Sequence, residues 1–188
     1  MIGALRIEGF AIVSADGMLA DSTGHMPDAL KIEADQRFFE SSLDRVAAAV
    51  HGRHSHEGQP NSPRRRRLIL TRRVSAIEPD PENPMARLWN PAGASFAGAC
   101  AALGVESGTV AIIGGTEVFG LFLDIGYDAF HLSRANRVRL LGGRPVFPQV
   151  PVETPEEVLT SHGLRPGERR VLDAQADAFL VTWTRGAS

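Results

Sequence analysis

The sequence predicts a three-layer α/β fold with a mostly parallel central sheet, helices on both faces and a C-terminal antiparallel hairpin. Three observations carry this. Short apolar runs alternate with helical patterns along most of the chain, the order that builds parallel sheets through crossover helices. Glycine turns follow three of those runs, at Asp16-Gly17, His51-Gly52 and Gly114-Gly115. Near the C-terminal end, two strand-like runs are joined by a short turn at residues 175–177. No internal repeat is present. The stretch holding Pro79, Pro81, Pro84 and Pro91 reads as a surface excursion, because neither side of it has enough strands to close a sheet. The reading is a single domain over residues 1–188.

Residues 10–14 read as a buried first strand ending in the Asp16-Gly17 turn. Turn formers make residues 21–27 an open loop. Phe38, Phe39 and Leu43 fall at helical spacing, which predicts a helix over 34–43. Residues 46–50 form a strand running into His51-Gly52, residues 58–63 a loop, and residues 68–71 the next strand. The proline-rich region has one short strand near Leu88. Ser95 is a natural N-cap for a helix reaching Leu103 and closed by Gly104. A strand over 110–113 ends in Gly114-Gly115, after which Thr116 is expected to cap a helix through Leu123. Residues 129–133 make another strand, and a short segment follows Gly142-Gly143 to Phe147. The hairpin pairs residues 169–174 with 178–184.

Composition narrows the function classes. An apolar share of 43% and a charged share of 22% are those of an ordinary globular domain. A net charge of -2 gives no global field for nucleic acid. The arginine run at 64–67 has no interleaved aromatics, so it reads as a solvated loop. A lone cysteine, Cys100, excludes an intramolecular disulfide and suits a reducing compartment. No apolar run is long enough to span a bilayer and no signal peptide is recognisable. The expectation is a soluble cytoplasmic protein with no nucleic-acid or membrane partner.

The chemistry concentrates at strand ends, where open parallel sheets bind ligands. Residues 112–119, Ile-Ile-Gly-Gly-Thr-Glu-Val-Phe, read as a strand, a phosphate-facing turn and a helix start. Arg72 and Arg73 end a strand, where guanidinium groups can fork the extra phosphate that distinguishes NADPH from NADH. His51, His54 and His56 cluster, but no second group of ligands matches them in spacing, so no metal is expected. Asp35 opens an amphipathic helix with Phe39 one turn on. It is either a carboxyl whose apolar surroundings suit it to proton transfer, or an exposed carboxylate at a helix start. Glu33 is a competing candidate.

The order of these motifs resembles the dihydrofolate reductase superfamily. They run as Ser14-Ala15-Asp16-Gly17, the helix with Asp35 and Phe39, His51-Gly52-Arg53-His54-Ser55-His56-Glu57 and Leu68-Ile69-Leu70-Thr71-Arg72-Arg73. Then come Ile113-Gly114-Gly115-Thr116-Glu117-Val118-Phe119, Phe130-His131-Leu132-Ser133 and Gly143-Arg144-Pro145-Val146-Phe147-Pro148. The superfamily includes the reductase domain of bifunctional riboflavin-biosynthesis enzymes. The resemblance implies an NADPH-dependent oxidoreductase that transfers hydride to a C=N or C=O bond of a small heterocycle, dihydrofolate or a related pteridine or pyrimidine. It implies that Gly52, Arg53, His54 and Ser55 meet the cofactor phosphates, and that Thr71, Arg72 and Arg73 hold the adenosine phosphate. Ile113, Gly114, Gly115, Thr116, Glu117, Val118 and Phe119 would underlie the pyrophosphate and nicotinamide, with Ala11 and Gly17 also on the cofactor. Asp35 and Ser133 fall at the catalytic positions, which favours the functional reading of Asp35. Ile12 and Phe39 fall against the substrate.

Some positions lean to the riboflavin-type reductases. Pro27-Asp28 stands where the folate enzymes have Pro-Trp, and His51 stands where they usually have methionine. A reductase of a ribosylamino-pyrimidine would need a basic subsite, for which Arg65, Arg66 and Arg134 are candidates, Arg65 first. The deaminase motifs His-x-Glu and Pro-Cys-x-x-Cys are missing, so a bifunctional enzyme is excluded. A non-catalytic nucleotide-binding module is the alternative of another class. A homodimer is the expected assembly.

Overall fold

A computed structural model describes residues 4–55 and 57–186. Among them, nine strands form one sheet in which β1 (Ala4–Ser14) is an interior strand. Parallel to β1 on one side runs β7 (Ser107–Ile112), followed by β3 (Ala48–Gly52), β4 (Arg67–Leu70) and β6 (Ala86–Trp89), all parallel. The antiparallel β5 (Ile77–Pro79) closes that edge. On the other side β1 pairs in parallel with β8 (Ala129–Ala135), and then β11 (Ala178–Arg185) and β10 (Leu164–Asp173) add the expected antiparallel hairpin. A small second sheet joins β2 (Met18–Ala20) to β9 (Arg144–Pro145). The helices are α1 (Glu33–Leu43), α2 (Phe96–Ala102), α3 (Thr116–Ile125) and α4 (Pro155–Ser161).

The central strands are apolar because both faces are covered. Along β1, Ile7 and Val13 point into the main core, while Phe10 and Ile12 point to the opposite face. The main core takes in Phe96 and Cys100 of α2, Phe119 and Phe122 of α3 and Val158 of α4. Its aromatic rings meet edge to face, Phe96 with Phe122 at 5.1 Å and Tyr127 with Phe130 at 5.1 Å. On the other face, Leu43 of α1 packs with Phe10 and Ala111, with Phe38 and Phe39 against them. The expected helices on both faces are therefore present. No helix of the described residues is long and apolar enough to cross a membrane.

Several local expectations change. The proline-rich region holds two strands, β5 and β6, rather than one. Pro79 is tolerated because β5 is an edge strand. Ser95 does cap α2, its hydroxyl accepting from Gly98 N at 3.1 Å. Thr116 does not cap α3: Gly115 occupies the cap position, and the Thr116 hydroxyl donates to Pro145 O at 2.5 Å. The sequence reading omitted α4, although Thr154 and Glu157 form a reciprocal capping box at its start. The outer strand β10 is exposed on both faces along residues 165–171.

Gly9 is required by packing. The ring of its β8 neighbour Phe130 lies across it, and a Cβ there would meet that ring at 2.3 Å. A Cβ on Gly58 would meet nothing within 4 Å. Gly9→Ala is expected to lower unfolding stability by about 1–3 kcal/mol through overpacking. Gly58→Ala should stay within about 0.5 kcal/mol of the parent. Urea unfolding of both variants checks this, and equal midpoints would contradict the packing account.

Candidate active site

The parallel strands β1, β3, β7 and β8 all end on one side of the sheet, and a cavity of about 380 Å³ opens near those ends. Its apolar walls come from Phe10, Ala11 and Ile12 of β1, Leu30, and Phe38 and Phe39 of α1. Asp35 and Ser133 are polar groups within it. The α-helical repeat sets Asp35 four residues before Phe39, so both face the cleft from one side of α1. The β1–β8 register sets Ser133 beside Ile12. Ser133 is fully buried and lines the cleft with Asp35, close enough for its hydroxyl to favour the charged carboxylate. Burial lifts that carboxyl from its ordinary value of 3.8 to about 6, against the opposing pull of the Ser133 hydrogen bond. Glu33 instead faces solvent and pairs with Arg37, so it does not compete for this role.

His131, two residues before Ser133, forms another part of the wall. Its ring stacks on Phe10 at 4.6 Å, and its nitrogens bond to Glu8 at 2.9 Å and Thr182 at 3.0 Å. That hydrogen bond is the main cause of a Glu8 carboxyl held at about 2. Nothing in the sequence alone marked this pairing, since its partners lie far apart along the chain.

The expected nucleotide-contacting residues gather at the same strand ends. Gly52 N donates to Gly114 O at 2.8 Å, which ties the end of β3 to the turn after β7. Beyond it Arg53 and His54 are exposed, and His54 and Ser55 line the cleft. Ile113, Gly114, Gly115 and Phe119 line it too. The Gly114–Gly115 peptide is cis, and Gly114 has φ 108°. With no side-chain cap on α3, the N–H groups of its first turn are open to an anion. Glu117 is exposed in that turn, while Val118 lies buried beneath it. Thr71 follows β4, whose Leu70 is the register neighbour of Gly52. Its hydroxyl accepts from Arg73 N at 3.2 Å, and the side chains of Arg72 and Arg73 are exposed. This donor set, made of helix N–H groups and solvent-facing guanidinium groups, fits a dinucleotide phosphate chain. Among the described residues no group of histidine, cysteine and carboxylate side chains could hold a metal. His56 lies outside the described residues.

Two expected residues lie elsewhere. Gly17, with φ 83°, packs against Val150 and Pro155 and is not part of the cleft lining. Arg65 is buried and is not a cleft residue: it is spent on Glu57 at 2.8 Å and Asp44 at 2.6 Å. Both of its charged partners are carboxylates of the chain itself. Arg66 donates to Gly104 O, and Arg134 is paired with Glu156 at 2.6 Å. The sequence reading missed Glu57 as a cleft residue. Burial raises its pKa, but hydrogen bonds from Arg67, Gln59 N and Arg65 outweigh this and hold it below the ordinary range.

No protein-family model matches the chain, and no curated protein matches it by sequence. Solved structures do match its fold. A protein assigned to riboflavin biosynthesis from Shewanella sp. PV-4 superposes with a TM-score of 0.68 at 20% identity, covering 97% of this chain and 99% of that one. A diaminohydroxyphosphoribosylaminopyrimidine deaminase/5-amino-6-(5-phosphoribosylamino)uracil reductase from Thermotoga maritima gives 0.62 at 16% identity, over 97% of this chain and 57% of that one. Dihydrofolate reductase from Enterococcus faecalis, complexed with NADP(H) and RAB-propyl, gives 0.61 at 16% identity, over 97% of both chains. The fold is dihydrofolate reductase-like, as the motif order implied.

A raised carboxyl is a stability cost with a definite sign. Asp35 binds its proton more tightly when folded, so stability falls as pH rises from about 4 to about 7 and the buried group must ionise. Asp35→Asn is expected to be more stable than the parent by about 1–2 kcal/mol at pH 7 and equal to it at pH 4. Unfolding curves across that range test it, and a pH-independent difference would refute the burial of the carboxyl.

Proposed function

We propose that this chain is an NADPH-dependent reductase that saturates a C=N or C=O bond in a small heterocycle such as a pteridine or pyrimidine. One observation carries the reading: Asp35, whose carboxyl is pushed up by burial, and the buried hydroxyl of Ser133 share an apolar cleft with the Gly-Gly turn that opens α3, a helix with no side-chain cap. The match in fold to a dihydrofolate reductase complexed with NADP(H) supports it.

When bound, the cofactor supplies the hydride. The chain would do the rest. The first turn of α3 and the Gly52 turn hold the phosphates, and Arg72 and Arg73 take the adenosine phosphate. Phe10, Ile12 and Phe39 press a flat ring into place and keep water out. Asp35 bonds the ring and, when protonated, supplies the proton that accompanies the hydride. Ser133 offers a buried hydroxyl beside the carboxyl and the ring.

Fluorescence titration is expected to show NADPH binding more tightly than NADH. Arg72→Gln or Arg73→Gln should weaken NADPH by about 10-fold and leave NADH unchanged. Equal affinity for both cofactors in the parent chain would remove the role assigned to these arginines. Asp35→Asn should lower NADPH oxidation with a reducible pteridine or pyrimidine by about 100-fold or more, with NADPH affinity unchanged. In the parent chain, kcat/KM should fall as pH rises through about 6, when Asp35 loses its proton. Full turnover in the Asn variant would end the assignment of Asp35.

A further inference from the structure

We propose that the cation subsite beside this cleft is filled from within the chain by Glu57, so that the cleft takes flat rings without a phosphate or carboxylate tail. The ring half of this inference rests on the reductase reading above; the anion half does not. Among the described residues that line the cleft there is no lysine or arginine. The exposed Arg53, Arg72 and Arg73 stand on the side assigned to the cofactor phosphates.

The nearest buried cations are already occupied. Glu57 lines the cleft and its side chain is 4% exposed. One of its oxygens accepts from Arg65 Nη1 at 2.8 Å and from Arg67 Nη2, and the other accepts from Gln59 N at 2.8 Å. Two guanidinium groups and a backbone N–H converging on one carboxylate make an anion-binding site, and Glu57 is the anion in it. With Glu57 in place, the two guanidinium groups are balanced by two carboxylates, Glu57 and Asp44. Arg67 Nη1 is buried with no hydrogen-bond partner, and Asp44, the only other carboxylate on Arg65 among the described residues, is 38% exposed. Removing the Glu57 carboxylate would leave buried positive charge with space beside it, which is what an external oxyanion needs.

The test is thermal unfolding of Glu57→Ala and of the parent chain in inorganic phosphate and in sodium chloride of matched ionic strength. Phosphate is expected to raise the midpoint of the variant by about 4 °C or more over the matched salt. It should have no such effect on the parent chain or on Glu57→Ala/Arg65→Gln. A variant that phosphate neither folds nor stabilises overturns the proposal. The NADPH-loaded parent chain is then titrated with pterin and with pterin-6-carboxylate, which differ only in the anionic group. Pterin should bind at least as tightly in the parent chain, and the preference should move toward the carboxylate by about 10-fold in Glu57→Ala. A parent chain preferring the carboxylate by 10-fold would also overturn the proposal. If neither pterin binds, the reductase reading fails, and phosphate rescue still decides the role of Glu57.

Discussion

Parallel pairing on both sides of β1 is the constraint on which the rest depends. A strand with parallel neighbours on each side exposes no edge, so every connection to it must cross a face of the sheet, and helices do so here. The carboxyl ends of β1, β3, β7 and β8 then fall together, and the residues just beyond them become neighbours although the chain separates them widely. Register supplies the fine placement. With Ile12 beside Ser133 and Gly9 beside Phe130, a hydroxyl reaches the cleft at one level while a large ring closes the core at another.

The cleft uses carboxylates in two opposed ways. Asp35 has a neutral partner and apolar walls, so desolvation wins and the proton is retained to unusually high pH. Glu57 is buried as well, yet guanidinium groups bond to it, so attraction wins and it stays charged. The same side-chain chemistry thus yields a proton donor and a fixed anion within one cavity. The difference comes from neighbours contributed by β4 and β8.

Much of the frame was legible in the sequence because buried parallel strands read as continuous apolar runs. The strand ending at Gly52 and the one preceding Gly114 are of this kind, whereas the antiparallel hairpin was marked by the short turn at residues 175–177. The Ser95 cap was legible because its signal is local. Elements that depend on distant partners were not. The strands β2 and β5 have three residues each and exist only through pairing with β9 and β6. The helix α4 carried its own signal in Thr154 and Glu157, which went unused. In the site, helical spacing put Asp35 and Phe39 on one face but left two readings of Asp35 open, and the motif order was what favoured one of them. The fate of Arg65 was not, since Glu57 and Asp44 come to it from eight and twenty-one residues away.

The borders of the large sheet have a consequence for how molecules meet. Among the described residues its two outer strands are β10 and β5, each with a neighbouring strand on one side only. Both are built to refuse a further strand. In β10, Pro166 lacks an N–H and Arg165, Glu168, Arg169 and Arg170 crowd the exposed run. In β5, Pro79 and Glu78 do the same within three residues. Charge and proline at a border are the usual guard against edge-to-edge aggregation. A chain whose core is a broad, apolar, mostly parallel sheet carries its greatest solubility hazard at those two borders, and that is where its sequence is least hospitable to another β-strand.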